Sequence, residues 1–133
     1  MQSCAQVVMA NNKKTGDFGE NLACLFLESK GCEIIAKNYK FKRREIDIIV
    51  KDGEYIVFVE VKTRLNSNFG TPAESVNLIK QKHIISAANG WLFENHTDLQ
   101  PRFDIVEIYK DIKNNKNYVR RIPDAFMLTD KNN

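Results

Sequence analysis

Residues 44–64 read REIDIIVKDGEYIVFVEVKTR. Asp52-Gly53 is a two-residue hairpin signal between two runs rich in β-branched and aromatic residues. Before it, 45–51 alternates and sets Ile46, Ile48 and Val50 on one face; after it, 55–63 supplies the partner strand. With Asp52-Gly53 as the loop, Lys51 pairs with Glu54. Counting back puts Asp47 opposite Phe58, Glu45 opposite Glu60 and Arg43 opposite Lys62. Opposite residues of an antiparallel pair share a face. Asp47, Glu60 and Lys62 are therefore expected on one face, with Asp47 and Glu60 as diagonal neighbours about 7–8 Å apart at Cβ. A slip of one residue would separate them.

That grouping has a chemical use. Two carboxylates on a half-buried face repel, and a hard divalent cation relieves the repulsion. Oxygen ligands suit Mg2+ or Mn2+. A neighbouring ammonium positions a water or holds a phosphate oxygen, as metal-assisted phosphodiester hydrolysis requires. The plainer alternative stays open: Glu-x-Lys is common by chance, and Lys62 would then be a salt-bridge partner at a strand end.

Outward from the hairpin, Phe18, Leu22, Leu25 and Phe26 predict a helix over 17–30. Asp17 with Glu20 resembles a capping box, and Gly31 is a stop signal. Glu20 points toward the side of Ala23, Cys24 and Leu27, an unusual place for a carboxylate. A strand opens at Ile34-Ile35 and runs through Tyr39 and Phe41. A polar loop covers 65–70, and Pro72 and Asn77 lead into a helix over 78–89, extending toward 93. Its apolar stripe is expected from Leu78, Ile79, Ile85 and Ala88. Strands follow at 103–109 and 118–122, separated by a polar turn at 110–117, with Pro123 ending the last. The reading is one α/β domain over 14–126, with a flexible lead-in at 1–13 and a tail at 127–133.

The totals agree with one domain. The chain has 133 residues, 43% of them hydrophobic and 28% charged, enough for a core and too structured in pattern for a disordered tail. No apolar run is long enough to span a bilayer, so no membrane association is expected. A net charge of +3 permits nucleic-acid binding without arguing for it. Cys4, Cys24 and Cys32 form neither a disulfide framework nor a zinc motif. With no signal-peptide pattern at the start, a reducing, cytoplasmic setting is expected.

At the charged hairpin the chain resembles the YraN-like bacterial proteins, the uncharacterised family UPF0102, of the restriction-endonuclease-like PD-(D/E)XK superfamily. The stretches that carry the resemblance are GDFGENLACLFLESKG, REIDIIV, YIVFVEVKTR, FGTPAESV, RFDIVEI and IPDAF. The resemblance implies a restriction-endonuclease-like fold, a central mixed β-sheet flanked by helices. It implies catalytic roles for Asp47, Glu60 and Lys62, and adds Glu20 from the first helix. It further implies that Asp47, Glu60, the Val61 carbonyl and Glu20 ligate Mg2+ or Mn2+. One departure is Arg44, where the family usually has Gly; alternation points Arg44 away from the expected site.

Residues 37–44 form a basic run with interleaved aromatics. Lys40, Lys42 and Arg43 suit phosphate contacts, and Tyr39 suits stacking on a base. The alternative is a solvated strand edge protected by lysines. Lys80 matches a family position and is a candidate phosphate contact, whereas Lys82 and His83 read as an ordinary exposed face. Arg102 and Asp104 should share a face as an ion pair. The expectation is a divalent-metal-dependent nuclease acting on DNA, with branched or processing intermediates as substrates by superfamily analogy. The alternatives are a non-catalytic nucleic-acid-binding module and a partner-dependent interaction protein. A homodimer is compatible with a duplex substrate.

Overall fold

The computed structural model describes residues 5–6, 15–64 and 76–127. Its elements are β1 (Ala5–Gln6), α1 (Thr15–Ser29), β2 (Glu33–Phe41), β3 (Arg44–Asp52), β4 (Tyr55–Arg64), α2 (Leu78–Glu94), β5 (Gln100–Asp111) and β6 (Lys116–Phe126). The strands form a sheet in the order β1-β6-β5-β4-β3-β2. Because β1 has two residues, the body of the sheet is five long strands. β4 and β5 are parallel, with α2 between them in sequence; the other neighbours are antiparallel. The result is a mixed α/β fold.

The β3–β4 turn differs from the expected one. Asp52 pairs with Tyr55, so the loop is Gly53-Glu54. Gly53 has φ 62 and Glu54 has no positive φ, as in a turn that needs glycine at its first central position. A second two-residue loop, Lys42-Arg43, joins β2 to β3 through the Phe41–Arg44 pair, with Lys42 at φ 59.

Alternation along β4 builds two cores. Val57 and Val59 pack with Phe18, Leu22, Ala23, Cys24, Phe26 and Leu27 of α1. Ile56 and Phe58 pack with Ile84, Ala87, Ala88 and Trp91 of α2. The two helices therefore cover opposite faces. Phe58 meets Trp91 edge-on at 5.9 Å and Phe103 at 5.5 Å, and Phe103 stacks on Phe126 at 5.0 Å. At Gly90, α2 comes so close to the sheet that the Phe41 ring occupies the place of a side chain. No helix among the described residues is long and apolar enough to cross a membrane.

Several expectations change. α1 begins at Thr15, which puts Asp17 within the first turn instead of at a cap. Leu25 is exposed, since Ala23, Cys24 and Leu27 turn the buried stripe away from it. Leu78 and Ile79 are exposed too, and Ile84, Ala87, Ala88 and Trp91 form the buried face. Ile46 packs in the α2-side core, apart from Ile48 and Val50. β6 continues through Pro123 to Phe126, which is tolerable because β1 pairs only with Tyr118 and Val119 and leaves that edge open. Ala5–Gln6, within the expected lead-in, form β1. The rest of that lead-in, the loop at 65–70, Pro72 and the tail after Met127 lie outside the described residues.

Asn77 caps α2 as expected, accepting from the Lys80 N–H at 2.8 Å. The Arg102–Asp104 pair also forms, as part of a larger clasp. Arg102 donates to Asp104 at 2.9 Å and to Asp52 at 3.0 Å. Arg121 donates to Asp104 at 3.0 Å and to Asp52 at 2.8 Å. Asp104 is fully buried and also accepts from the Asp124 N–H. Burial alone would raise the Asp52 carboxyl, but the two arginines outweigh it and hold it below the usual range. The clasp ties the end of β3 to β5 and β6 across β4. Asp104→Ala leaves two partly buried guanidinium groups without their main anion. It is expected to cost about 3–5 kcal/mol in urea unfolding at neutral pH, and an unchanged midpoint would show that the clasp adds no stability.

Candidate functional site

The β3–β4 ladder runs only from Asp52–Tyr55 to Ile48–Val59, whereas β3 stays paired with β2 down to Arg44. The β2–β3 hairpin therefore peels away from β4 beyond Ile48, leaving a fork. Asp47 sits at its root. Its carboxylate accepts from the Val61 N–H at 2.8 Å, in place of a backbone partner. The same point breaks the alternation of β3, which explains why Ile46 and Ile48 face different cores.

The ladder ends with Ile48 opposite Val59, so Asp47 and Glu60 are the next residues of their strands beyond the last pair, and Asp47 is offset by two residues from the expected pairing with Phe58. The two carboxyl groups are close enough for each to act on the other's proton affinity. Glu60 is buried, and its Oε2 lies 3.7 Å from Lys80 Nζ at the start of α2. Burial and the Asp47 charge push the Glu60 carboxyl up to about 7. Burial also raises Asp47, although the Val61 N–H and Lys80 act the other way.

Glu20 reaches the fork from the α1 side. Burial and the Asp47 charge raise its carboxyl, while Asn38 on β2 acts the other way. Its neighbour Gly19 explains the approach: a side chain there would strike Thr63 of β4, so glycine lets the first turns of α1 lie directly on that strand. Lys37 donates to Asn21 at 3.2 Å and ties α1 to β2 on the same side. Lys62 follows Glu60 on the same face of β4, half-buried, and its charge acts on Glu60. Asp47, Glu60, Lys62, Glu20 and Lys80 are thus one electrostatic group. Among the described residues, no three His, Cys, Asp or Glu side chains stand close enough together to enclose a metal ion. The donor set still suits a hard cation that keeps several waters and uses one or two carboxylates.

The basic run is placed differently. Arg43 lies in the exposed Lys42-Arg43 turn and not opposite Lys62, because the ladder stops at Ile48. Lys40 and Lys42 are exposed, and Lys42 lies over the Phe41 ring. Tyr39 packs against the α2-side core and donates to Glu94 at 2.8 Å; burial and that carboxylate push its phenol up to about 12. Arg44 is half-buried, with a buried Nε lacking a hydrogen-bond partner.

A second charged group went unread in the sequence. Lys62 is level with Glu107 on β5, and Glu107 with Arg120 on β6. Glu107 is fully buried. It accepts from Arg120 Nη2 at 2.6 Å and Nε at 3.1 Å, and from the Tyr109 hydroxyl at 3.1 Å. Arg64 Nε lies 3.6 Å from its other oxygen. The available signal was a glutamate in the middle of the apolar run 103–109.

The family model described as uncharacterised protein family UPF0102 matches residues 19–108, a span that includes Glu20, Asp47, Glu60, Lys62 and Lys80. A UPF0102 protein of Clostridioides difficile is 50% identical over 100 residues, covering 74% of this chain and 88% of its own. One from Caldicellulosiruptor bescii is 48% identical over 119 residues, covering 87% and 99%. One from Flavobacterium psychrophilum is 40% identical over 118 residues, covering 89% and 98%.

The raised Glu60 carboxyl has a stability consequence. The folded chain binds its proton more tightly than the unfolded chain. Its contribution is therefore full below pH 4.5, the ordinary glutamate value, and is lost as pH rises through about 7. Metal-free Glu60→Gln should exceed wild type in stability at pH 8 by on the order of 2 kcal/mol and match it near pH 4.5. Denaturant melts at both pH values check this; a variant weaker than wild type at pH 8 would mean that Glu60 is held as a well-paired anion.

Proposed function

The chain belongs to the UPF0102 family, and from that footing we propose that it is a divalent-metal-dependent nuclease that hydrolyses phosphodiester bonds in DNA. The observation behind this reading is the pairing of Asp47 with Glu60 at the strand fork. Both carboxyl groups have their proton affinity raised by burial, and the Asp47 charge raises that of Glu60 further; such a pair gains from a shared cation, and Lys62 stands two residues from Glu60 on the same strand. The architecture is compatible: a mixed sheet with a helix on each face, which we take as restriction-endonuclease-like.

Asp47, Glu60 and the Val61 carbonyl would hold Mg2+ or Mn2+. The ion supplies charge stabilisation on the phosphate and a more acidic bound water. Asp47 is already aimed by its bond to the Val61 N–H, so little reorganisation is needed. Lys62 orients the attacking water and attracts the phosphate. Glu20, on the other side of the fork, assists through water or at a second ion. Lys80 now balances Glu60 and is free to turn to a phosphate once a cation takes over that task. Lys40, Lys42 and Arg43 extend from the hairpin turn as outlying phosphate contacts, and Tyr39 remains a candidate stacking partner at its base. Two buried free thiols, Cys24 and Cys32, fit a reducing cytoplasm.

Cleavage of single-stranded, duplex and branched DNA with Mn2+ or Mg2+ tests the reading. Wild type should cut, and Asp47→Ala and Lys62→Ala should each lose about 100-fold or more. Mn2+ at pH 8 should also raise the Tm of wild type and leave that of Asp47→Ala unchanged. Equal cleavage by all three proteins would remove the site from the reaction. DNA binding without cleavage, indifferent to EDTA, would make the chain a binding module.

A further inference from the structure

We propose that the hollow between the β2–β3 arm and the outer flank of α2 takes one unpaired nucleobase of the nucleic-acid substrate. The inference rests on the nuclease reading and adds a preference for single-stranded over duplex DNA. The hollow has a volume of about 510 Å3, within the roughly 300–1,000 Å3 that small-ligand sites occupy. Lys82, Ser86, Asn89 and Phe93 line it from α2. They recur at helical spacing and share one flank, away from Ile84, Ala87, Ala88 and Trp91, which are buried. Phe41, at the end of β2, lines it from the arm. It can do so because Gly90 has no side chain: a Cβ there would strike the Phe41 ring, which lies against the helix backbone instead.

The lining matches a nucleotide part by part. Phe41, Ile85 and Phe93 supply apolar surface, and any base can stack on an aromatic ring. Phe93 is 81% exposed. A single exposed phenylalanine is ordinary, but this one borders an apolar hollow, where a stacked base would cover it. Asn89 is exposed and Ser86 half-buried. An amide and a hydroxyl each both donate and accept, as the polar edge of a base requires. Lys82 on the helix and Lys42 on the arm, whose ammonium lies 5.4 Å from the centre of the Phe41 ring, bring positive charge to the phosphates of the same strand. Tyr39, the other aromatic of the basic run, is already committed to Glu94, so this base contact falls to Phe41 and Phe93.

A base that is paired and stacked inside a duplex cannot enter such a hollow. The bound base therefore belongs to a single strand, a flap or a frayed end. Lys80, the partner of Glu60, stands at the start of the same helix. From there to Ser86 is about 9 Å along the axis, a few nucleotides of a strand at about 3.4 Å each. The hollow thus holds a base near the cut and not the nucleotide being cut.

Fluorescence anisotropy in Ca2+, which suppresses turnover, compares a labelled single strand, the same strand with abasic positions and the matching duplex. Wild type should bind the intact single strand about tenfold more tightly than either of the others. Phe93→Ala should lose that factor and bind intact and abasic strands equally, with its salt slope unchanged. Lys82→Gln should lower the slope by about 1 on both strands. Ile112→Ala, which removes another exposed apolar side chain from the β5–β6 turn, should match wild type. The Mn2+-induced Tm shift should be unchanged in Phe93→Ala, which reports intact folding and keeps the hollow apart from the metal site. A Phe93→Ala protein that still prefers the intact strand tenfold, or a wild type that never prefers it, overturns the base pocket, leaves the nuclease reading standing and gives the hollow to a protein partner. Absence of DNA binding by wild type overturns both.

Discussion

The hydrogen bond from the Val61 N–H to the Asp47 carboxylate is where the sheet stops being a ladder and becomes a site. A backbone donor at the end of a β pairing must be satisfied, and a side chain does it here. That substitution lets β3 leave β4 without an orphaned N–H. It also fixes the direction of a carboxylate that would otherwise rotate freely. The twin cores come from alternation along β4, and at the break, where the alternation of β3 is reset, both helices send residues toward one point. Glu20 arrives over glycine from α1 and Lys80 from the capped start of α2.

The two faces of the sheet are finished in the same way. Each carries one helix and a buried carboxylate held by two arginines. On the α1 side it is Asp104 with Arg102 and Arg121; on the α2 side it is Glu107 with Arg64 and Arg120. The first group is closed, every oxygen of Asp104 being taken. In the second, Arg64 Nε and the remaining Glu107 oxygen stand 3.6 Å apart as an ion pair.

Much of this was legible in the residues. The Asp-Gly signal locates the hairpin, yet glycine also serves as the first residue of a Gly-Glu turn, and the chain uses that alternative. The correction moves the register by two residues, which preserves which side chains share a face; Asp47 and Glu60 stay together for that reason. Alternation reveals faces and says nothing of where pairing ends, so the fork and the place of Arg43 were hidden. Glu20 stood out because a carboxylate on an apolar helix side needs a reason. The Glu107 cluster needed β5 and β6 aligned, and long-range register has no local signature in a single sequence.

Phe41 against Gly90 acquires a mechanical meaning from the fork. The separated part of the β2–β3 hairpin is an arm pivoting near Asp47, and its outer end rests through one aromatic ring on the backbone of α2. Tyr39 fastens the same arm to Glu94. The angle between arm and β4 is thus set by a spacer at the tip, far from the carboxylates. Bulk added at residue 90 acts as a wedge under that tip, and the rotation it causes is felt at the pivot, where Asp47 sits.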